Sequence, residues 1–303
     1  MKKIYVIVLN WNGKEDTIEC ISSLSKQKNS RYNIVLVDNS STDGSANEVQ
    51  KTFPNVIVIR NKQNLGYAGG MNVGIKYALT KKADYVLILN NDVILDEKLL
   101  WYLESNTNDN VLITSPVIYY KDKPELIWSV GGMINPILLE MTKPQGGDNN
   151  FLNKPMEKDF LSGCALFIDS SVFERIGYFD ERFFPGYYED LDFCLRAKKN
   201  KIKMQVIPDA KIWHKVSQSS GGEESPNVTF LMARNSGYYF KKHIRLWNAV
   251  FVIIYRLGSA IKKSIYFLVI KKYDCLKAYW RGLLNGWLGL SKKFEKIYLK
   301  YYM

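Results

Sequence analysis

The chain is poor in the residues that build metal clusters and covalent staples. Its four cysteines, Cys20, Cys164, Cys194 and Cys275, are widely spaced, form no CxxC pair, and have only His214 and His243 as companions among soft ligands. That argues against a structural zinc site and against a disulfide framework, in keeping with a reducing cytoplasm. Long apolar runs are missing as well. Ile4 to Leu9 is only six residues, with no small-residue cleavage site after it, and reads as a buried strand rather than a signal peptide. Towards the other end, Ala249 to Tyr255 and Ile265 to Ile270 fall far short of the roughly 20 residues of a spanning helix. Neither GxGxxG nor a Walker A pattern is found, and no internal repeat.

What is present is an ordinary folded composition, 47% hydrophobic and 24% charged over 303 residues, enough for one full domain and an appendage. The charge is unevenly placed. Residues 241–303 hold 14 Lys and Arg against Asp274 and Glu295 alone, so the whole net charge of +12 sits in this tail and the preceding 240 residues are neutral. A neutral body with a basic, aromatic tail implies that the tail meets an anionic surface while the body does something else.

Over the first 120 residues, short β-branched runs alternate with helix-like segments. Strands are expected over Ile4 to Leu9, Asn33 to Val37, Val56 to Ile59, Tyr85 to Leu89 and Val111 to Ser115. Helices are expected over Thr17 to Lys28, Ser45 to Thr52, Gly70 to Lys81 and Glu97 to Ser105. This is the signature of βαβ units and a largely parallel sheet, whose ligands bind beyond the carboxyl ends of the strands. From 120 to 160 the pattern loosens into an insertion or extended hairpins; Phe160 to Ile168 resumes as a strand and Asp190 to Lys199 as a helix. Residues 217–227 have the small-residue composition of a mobile lid.

Chemistry-bearing residues cluster at the expected strand ends. Asp38 follows the second strand, where a carboxylate can accept the imide N–H of a pyrimidine, and Trp11 after the first offers a stacking face. NLGYAGGMN (Asn64 to Asn72) is a small-residue turn into a helix that lets backbone N–H groups approach an anion or a sugar. LNND (Leu89 to Asp92) puts Asp92 where a hard cation could bridge it to two phosphates. Taken singly, each has a plainer reading: Asp38 and Asp43 as turn residues, Asp92 as a helix cap, Glu189 and Asp192 as acids in a first helical turn, and His214 as a satisfied structural residue.

In order along residues 3–240, VLNWNG, VDNSSTDGS, NLGYAGGMN, LNND, SGCALFI, GYFDERFF, YEDLDFCLR and WHKVSQSSGG resemble the motifs of the family-2 glycosyltransferases, in their rhamnosyltransferase-like branch. The resemblance implies a GT-A fold, an α/β architecture with a mostly parallel central sheet flanked by helices, over residues 1–240, followed by a basic helical appendage over 241–303. It implies that Leu9, Trp11 and Asp38 hold the donor's base, that Asn10, Asn64 and Asn72 also belong to the donor site, and that Asn90, Asn91 and Asp92 stand in place of the family's DxD. Asp92 and His214 then hold Mn²⁺ or Mg²⁺ on the diphosphate, while Asn90, in the first acidic position of that motif, is limited to a neutral hydrogen bond. Asp190 matches the catalytic base, Glu189 lies near the acceptor, and Asp192 serves the start of the helix.

The activity so implied is inverting transfer of a sugar from a nucleotide-diphosphate donor to a hydroxyl of a glycan or lipid-linked acceptor, in cell-surface polysaccharide synthesis. dTDP-rhamnose is the first choice of donor and UDP-sugars are the second. A carbohydrate- or nucleotide-binding pseudoenzyme and a sugar nucleotidyltransferase are the alternatives, the latter disfavoured because no Gly-rich, Arg/Lys-containing loop follows the first strand. A processive synthase is disfavoured by the lack of QxxRW. On one continuous tail helix, Arg256, Lys263, Lys271, Lys277 and Arg281 fall within about a third of the circumference, an interfacial pattern, although Gly258 and Gly282 favour several shorter helices. Contact with an anionic membrane is expected, which makes the protein cytoplasmic and peripheral at the inner face. A basic face packed on the catalytic domain is the alternative; nucleic acid is not an expected partner, since no recognition element accompanies the charge.

Overall fold

The computed structural model describes residues 2–28, 30–141, 153–216 and 225–289. Along the chain run β1 (Ile4–Asn10), α1 (Lys14–Leu24), β2 (Tyr32–Asp38), α2 (Ser45–Thr52), β3 (Ile57–Arg60), α3 (Gly66–Thr80), β4 (Tyr85–Asn90), β5 (Val93–Leu95) and α4 (Leu99–Asn106). They are followed by β6 (Ile113–Tyr120), β7 (Ile127–Ser129), β8 (Met156–Lys158), β9 (Ala165–Asp169), α5 (Ser171–Ile176), a 3₁₀ turn at Glu181–Phe183, α6 (Glu189–Lys199), β10 (Met204–His214), α7 (Pro226–His243), α8 (Ala249–Val269) and α9 (Tyr273–Leu288). The described residues fall into two compact units.

The first unit holds residues up to 133 together with 153–184 and 189–216. Its sheet has the order β3-β2-β1-β4-β9-β6-β10-β5, with β7 on β6 and β8 on β10. β3, β2, β1 and β4 are parallel, β9 is antiparallel to both β4 and β6, and β10 is again parallel to β6. The central strands therefore share one direction apart from β9, and both faces are covered. On β1, Ile4, Val6 and Val8 lie in the apolar cluster shared with α1 and α4, while Tyr5 and Ile7 lie in the one shared with α3. Burial on both sides explains why these strands read as continuous apolar runs rather than alternating ones. Small residues set the approach of α3: a Cβ on Gly74 would come within 2.3 Å of Ile7 Cγ2 and 3.0 Å of Val37 Cγ2, so the helix lies almost on the strands.

Five strands depart from expectation. β6 continues beyond Ser115 through Pro116, which pairs with Ile207 at the position where β10 shifts register before Lys211. A proline lacks a ladder donor, and an irregularity in the partner accommodates it. β9 starts at Ala165 rather than at Phe160, because the Gly163 N–H is spent on Asp190 Oδ2 at 3.1 Å instead of on a neighbouring strand. β5, β7 and β8 are only three residues each. Most of the expected lid, residues 217–224, lies outside the described residues, as do 142–152 of the insertion.

The second unit consists, among described residues, of 134–141, 185–188 and 225–289. Here α7 belongs with the tail helices, so the unit begins before residue 241. The reason is close packing on α9, where a Cβ on Gly286 would lie 2.1 Å from the Arg234 carbonyl oxygen. The Ser225 hydroxyl caps α7 by accepting from the Val228 N–H, with Pro226 in the first turn and Lys241, Lys242 and His243 in the last. Ala233, Ala260, Phe267, Cys275, Tyr279 and Leu283 form the unit's core. The segment 134–141 is held by Tyr239 donating to the Leu139 carbonyl and by Arg256 on Glu140 at 2.8 Å.

The tail is interrupted at 270–272 and not at Gly258 or Gly282, both of which lie inside helices. The basic arc drawn on one continuous helix is therefore not formed. Arg256 faces inward, with its side chain 13% exposed, paired to Glu140 and stacked over Phe240 at 4.6 Å. No described helix is long and apolar enough to cross a membrane.

Candidate active site

The site is assembled at the carboxyl edge of the first unit's sheet around one buried amide. Asn10, the last residue of β1, is fully buried. Its Nδ2 donates to Asp38 Oδ1 at 3.0 Å and to the hydroxyls of Ser41 and Ser45 at 3.0 and 2.6 Å. Its Oδ1 accepts from the Gly13 N–H at 3.1 Å, the Thr17 hydroxyl at 2.9 Å and Asn91 Nδ2 at 3.2 Å. One side chain thus ties the end of β1 to those of β2 and β4, and fixes Asp38 from below; the Ser41 N–H adds a bond to Asp38 Oδ2 at 3.2 Å. Leu9 is partly buried against the core shared with α3, and Trp11 follows Asn10 as a half-buried residue.

Asn91 is held by Asn10 and by the Thr17 hydroxyl at 2.9 Å, so the backbone at the end of β4 is anchored on both sides of Asp92. The second anchor is the antiparallel pairing of β5 with β10, which sets His214 opposite Val93 and lets the Lys215 N–H donate to the Asp92 carbonyl at 2.9 Å. As a result His214 Nε2 lies 3.1 Å from Asp92 Oδ1, both side chains being largely buried. Two ligand atoms each about 2.1 Å from one cation at a right angle stand about 3.0 Å apart. The pair is in direct contact at the distance of an ion pair, a separation that two ligands of a shared divalent ion would also have. Nδ1 of His214 is buried with no hydrogen-bond partner among the described residues, and the ring packs edge-on against Trp128 at 4.6 Å. No group of three or more His, Cys, Asp and Glu able to hold a metal occurs among the described residues.

Opposite the start of β9 stands the acidic first turn of α6. Asp190 accepts from the N–H of Gly163 at 3.1 Å and of Leu191 at 2.8 Å. Burial pushes its carboxyl upward while these backbone donors pull it back. Glu189 is 7% exposed, and its Oε2 has no hydrogen-bond partner among the described residues. Burial, and then the charge of Asp190, holds the Glu189 carboxyl well above the usual carboxylate range. Burial thus raises both adjacent acids, Glu189 well above the usual range and Asp190 less so because its backbone donors counter the effect. Asp192, fully buried, pairs with Arg196 at 2.9 Å, and Arg196 in turn donates to the carbonyls of Ile176 and Tyr178.

Besides Asn10, two more of the expected donor residues face the protein. Asn72 is buried in α3, donating to the Phe179 carbonyl and to Glu181 Oε1, both at 2.9 Å, and accepting from the Phe179 N–H at 3.1 Å. Asn64 Oδ1 accepts from the Gly66 N–H at 2.8 Å and closes the turn into α3. Asn90 is half-buried at the end of β4. Sequence reasoning passed over Tyr67, whose hydroxyl donates to the Gly163 carbonyl beside the acidic pair, and whose own ionisation is pushed up by burial and by Glu189. It also passed over Asn39, which donates to the Gly66 carbonyl at 2.9 Å and accepts from Asn61 Nδ2 at 2.8 Å. The sequence carries a signal for both, since Tyr67 lies in NLGYAGGMN between the donor-site residues Asn64 and Asn72, and Asn39 directly follows Asp38 in VDNSSTDGS.

The sheet carries acids, an amide and an imidazole along its carboxyl edge and is divided by one reversed strand, β9, which is the GT-A architecture. The glycosyl transferase family 2 model matches residues 5–177. The chain is 32% identical over 305 residues to the low-salt glycan biosynthesis hexosyltransferase Agl10 of Haloferax volcanii, covering 96% of this chain and 93% of that one. It is 25% identical over 301 residues to the dTDP-rhamnosyl transferase RfbF of Shigella flexneri, covering 95% and 96%. Its fold matches the mannosyltransferase PcManGT from Pyrobaculum calidifontis, solved in complex with GDP-Man and Mn²⁺, with a TM-score of 0.60 at 15% identity over 95% of this chain and 88% of that one. The chain belongs to glycosyl transferase family 2, in its rhamnosyltransferase-like branch.

The unusual state of Glu189 has a measurable consequence. Because its folded-state value lies above its ordinary value of 4.5, the folded chain binds more protons than the unfolded one at higher pH, and the Glu189 contribution to stability falls as pH rises from there. Glu189→Gln does not titrate. Its stability relative to wild type, from urea denaturation, is expected to improve steadily between pH 5 and pH 8. A constant difference across that range would show that Glu189 titrates normally.

Proposed function

We propose that the chain is an inverting, divalent-metal-dependent transferase that moves a sugar, rhamnose from dTDP-rhamnose as first choice, onto a hydroxyl of a glycan or lipid-linked acceptor in cell-surface polysaccharide synthesis. The observation that carries this reading is the approach of Asp92 to His214 at 3.1 Å on one sheet edge, in the unit that also places Asp190 beside the start of β9. The similarity to RfbF supports the choice of nucleotide and sugar. The basic, apolar tail supports an acceptor at the inner face of a membrane.

In this mechanism Asp38, held by Asn10 and the Ser41 N–H, accepts the imide N–H of the base, with Trp11 and Leu9 alongside. Asp92 and His214 would hold Mn²⁺ or Mg²⁺, which when bound neutralises charge developing on the departing diphosphate. Asp190, kept ionisable by its two backbone donors, takes the proton of the acceptor hydroxyl as that oxygen attacks the anomeric carbon from the side opposite the diphosphate. Glu189, holding its proton, has a hydrogen bond to offer an acceptor oxygen. Asn10 and Asn72, both buried and fully engaged, position the donor site rather than touch the donor.

Two measurements separate binding from chemistry. By calorimetry with dTDP, Asp92→Ala and His214→Ala are each expected to abolish the gain in affinity that Mn²⁺ gives the wild type; equal affinity in all three proteins, with and without the ion, would remove the metal assignment. Asp190→Asn keeps the shape and loses the base, so turnover is expected to fall by at least about 10²-fold with little change in donor affinity. Near-normal turnover would reassign the base.

A further inference from the structure

The second unit carries a large apolar surface that nothing in the described structure covers. Helix α8 buries one stripe, Val252, Ala260 and Phe267, with Arg256 turned inward on the same side, and leaves the opposite side to solvent. On the far side, Val250, Ile254, Leu257, Ile261, Ile265 and Leu268 are 49–65% exposed. Their spacing of three and four residues places them within about 80° of one another, a seam running nearly the full length of about 30 Å. No charged residue interrupts that sector. A helix whose exposed side is apolar over its whole length requires a non-aqueous partner.

The flanks indicate which partner. Exposed Lys241 and Arg245 precede the helix, Lys271 and Lys272 follow it, and Lys262 lies at the edge of the apolar sector. Trp247, Tyr255 and Tyr266, 64%, 40% and 40% exposed, add rings of the kind that settle at headgroup depth. Asp274 is the one acidic residue between 241 and 289. A second copy of the chain would bring like-charged rims together, whereas an anionic lipid surface complements the rim and accepts the apolar sector. Arg256 and Lys263 within the helix, and the absence of a spanning run, exclude a transmembrane path.

We infer that α8 lies in the plane of an anionic bilayer with the Val250–Leu268 seam inserted among the acyl chains and the lysines and Arg245 on the headgroups. The inference rests on the proposed membrane-side function and names the element that performs the docking. Insertion, not charge, is then the larger contribution.

The test is flotation of the full chain with phosphatidylcholine vesicles, with and without phosphatidylglycerol. The wild type is expected to float with the mixed vesicles and to remain largely bound in high salt. The double variant I254E/I261E, altered at solvent-facing positions, is expected to lose binding by at least about tenfold. Lys271→Gln with Lys272→Gln is expected to reduce binding only in low salt. Flotation of I254E/I261E equal to wild type would overturn the inference, and so would absence of flotation combined with a wild-type dimer that the same variant splits. Transfer to a soluble acceptor analogue, followed in parallel, is expected to be unchanged in I254E/I261E; wild-type flotation without any transfer would count against the proposed activity alone.

Discussion

A carboxyl edge can hold a reacting site only if strand ends that are far apart in sequence are fixed relative to one another, and here that task falls to the Asn10 side chain. An amide has two N–H directions and an oxygen with two lone pairs, and Asn10 engages both ends with neighbours from α1, the β2–α2 turn and the β4 end. The group is fully buried, its bonds to Asp38, Ser45 and Thr17 are shielded from water, and loss of the amide would leave several polar partners unsatisfied together. Asp38 and Asn91 take their positions from it. Asp92 inherits its position from Asn91 on one side and from the β5–β10 ladder on the other.

The parallel half of the sheet was legible because burial on both faces leaves continuous β-branched runs, and because each strand ends in a polar cluster. The other half was not. β10 crosses Pro208 and shifts register there, and β6 runs through Pro116, two residues that read as strand breakers when no partner is known. β5 is too short to show any period, yet it is the element that brings Asp92 against His214. The site was legible through motifs at strand ends, while the roles inside those motifs were less so. Asn10 and Asn72 stand in segments read as donor-binding, and only their hydrogen bonds reveal that they hold the protein together. In the tail, a helical wheel presumes an unbroken axis. The axis changes at 270–272, where two lysines give no break signal, and Arg256 turns inward to meet Glu140 from a distant segment.

The acidic pair shows how one sequence motif yields two chemical roles. Glu189 and Asp190 are neighbours with the same side-chain chemistry, but the N–H groups of Gly163 and Leu191 serve the second. The first is left in a buried setting that favours its neutral form. Such a division suits a transfer in which one group must accept a proton while another donates a hydrogen bond. Gly163 connects this pair to Tyr67, since its N–H serves Asp190 and its carbonyl accepts the Tyr67 hydroxyl, so the turn before β9 is part of the proposed catalytic arrangement and not merely a connection.

The proposed direct displacement, with Asp190 as the base and no covalent glycosyl intermediate, fixes the stereochemistry of the product. The most direct measurement is the anomeric configuration of the newly formed glycosidic bond by NMR, starting from a nucleotide-sugar of defined configuration. Direct displacement gives inversion at the anomeric carbon; a product with the donor's configuration retained would contradict it.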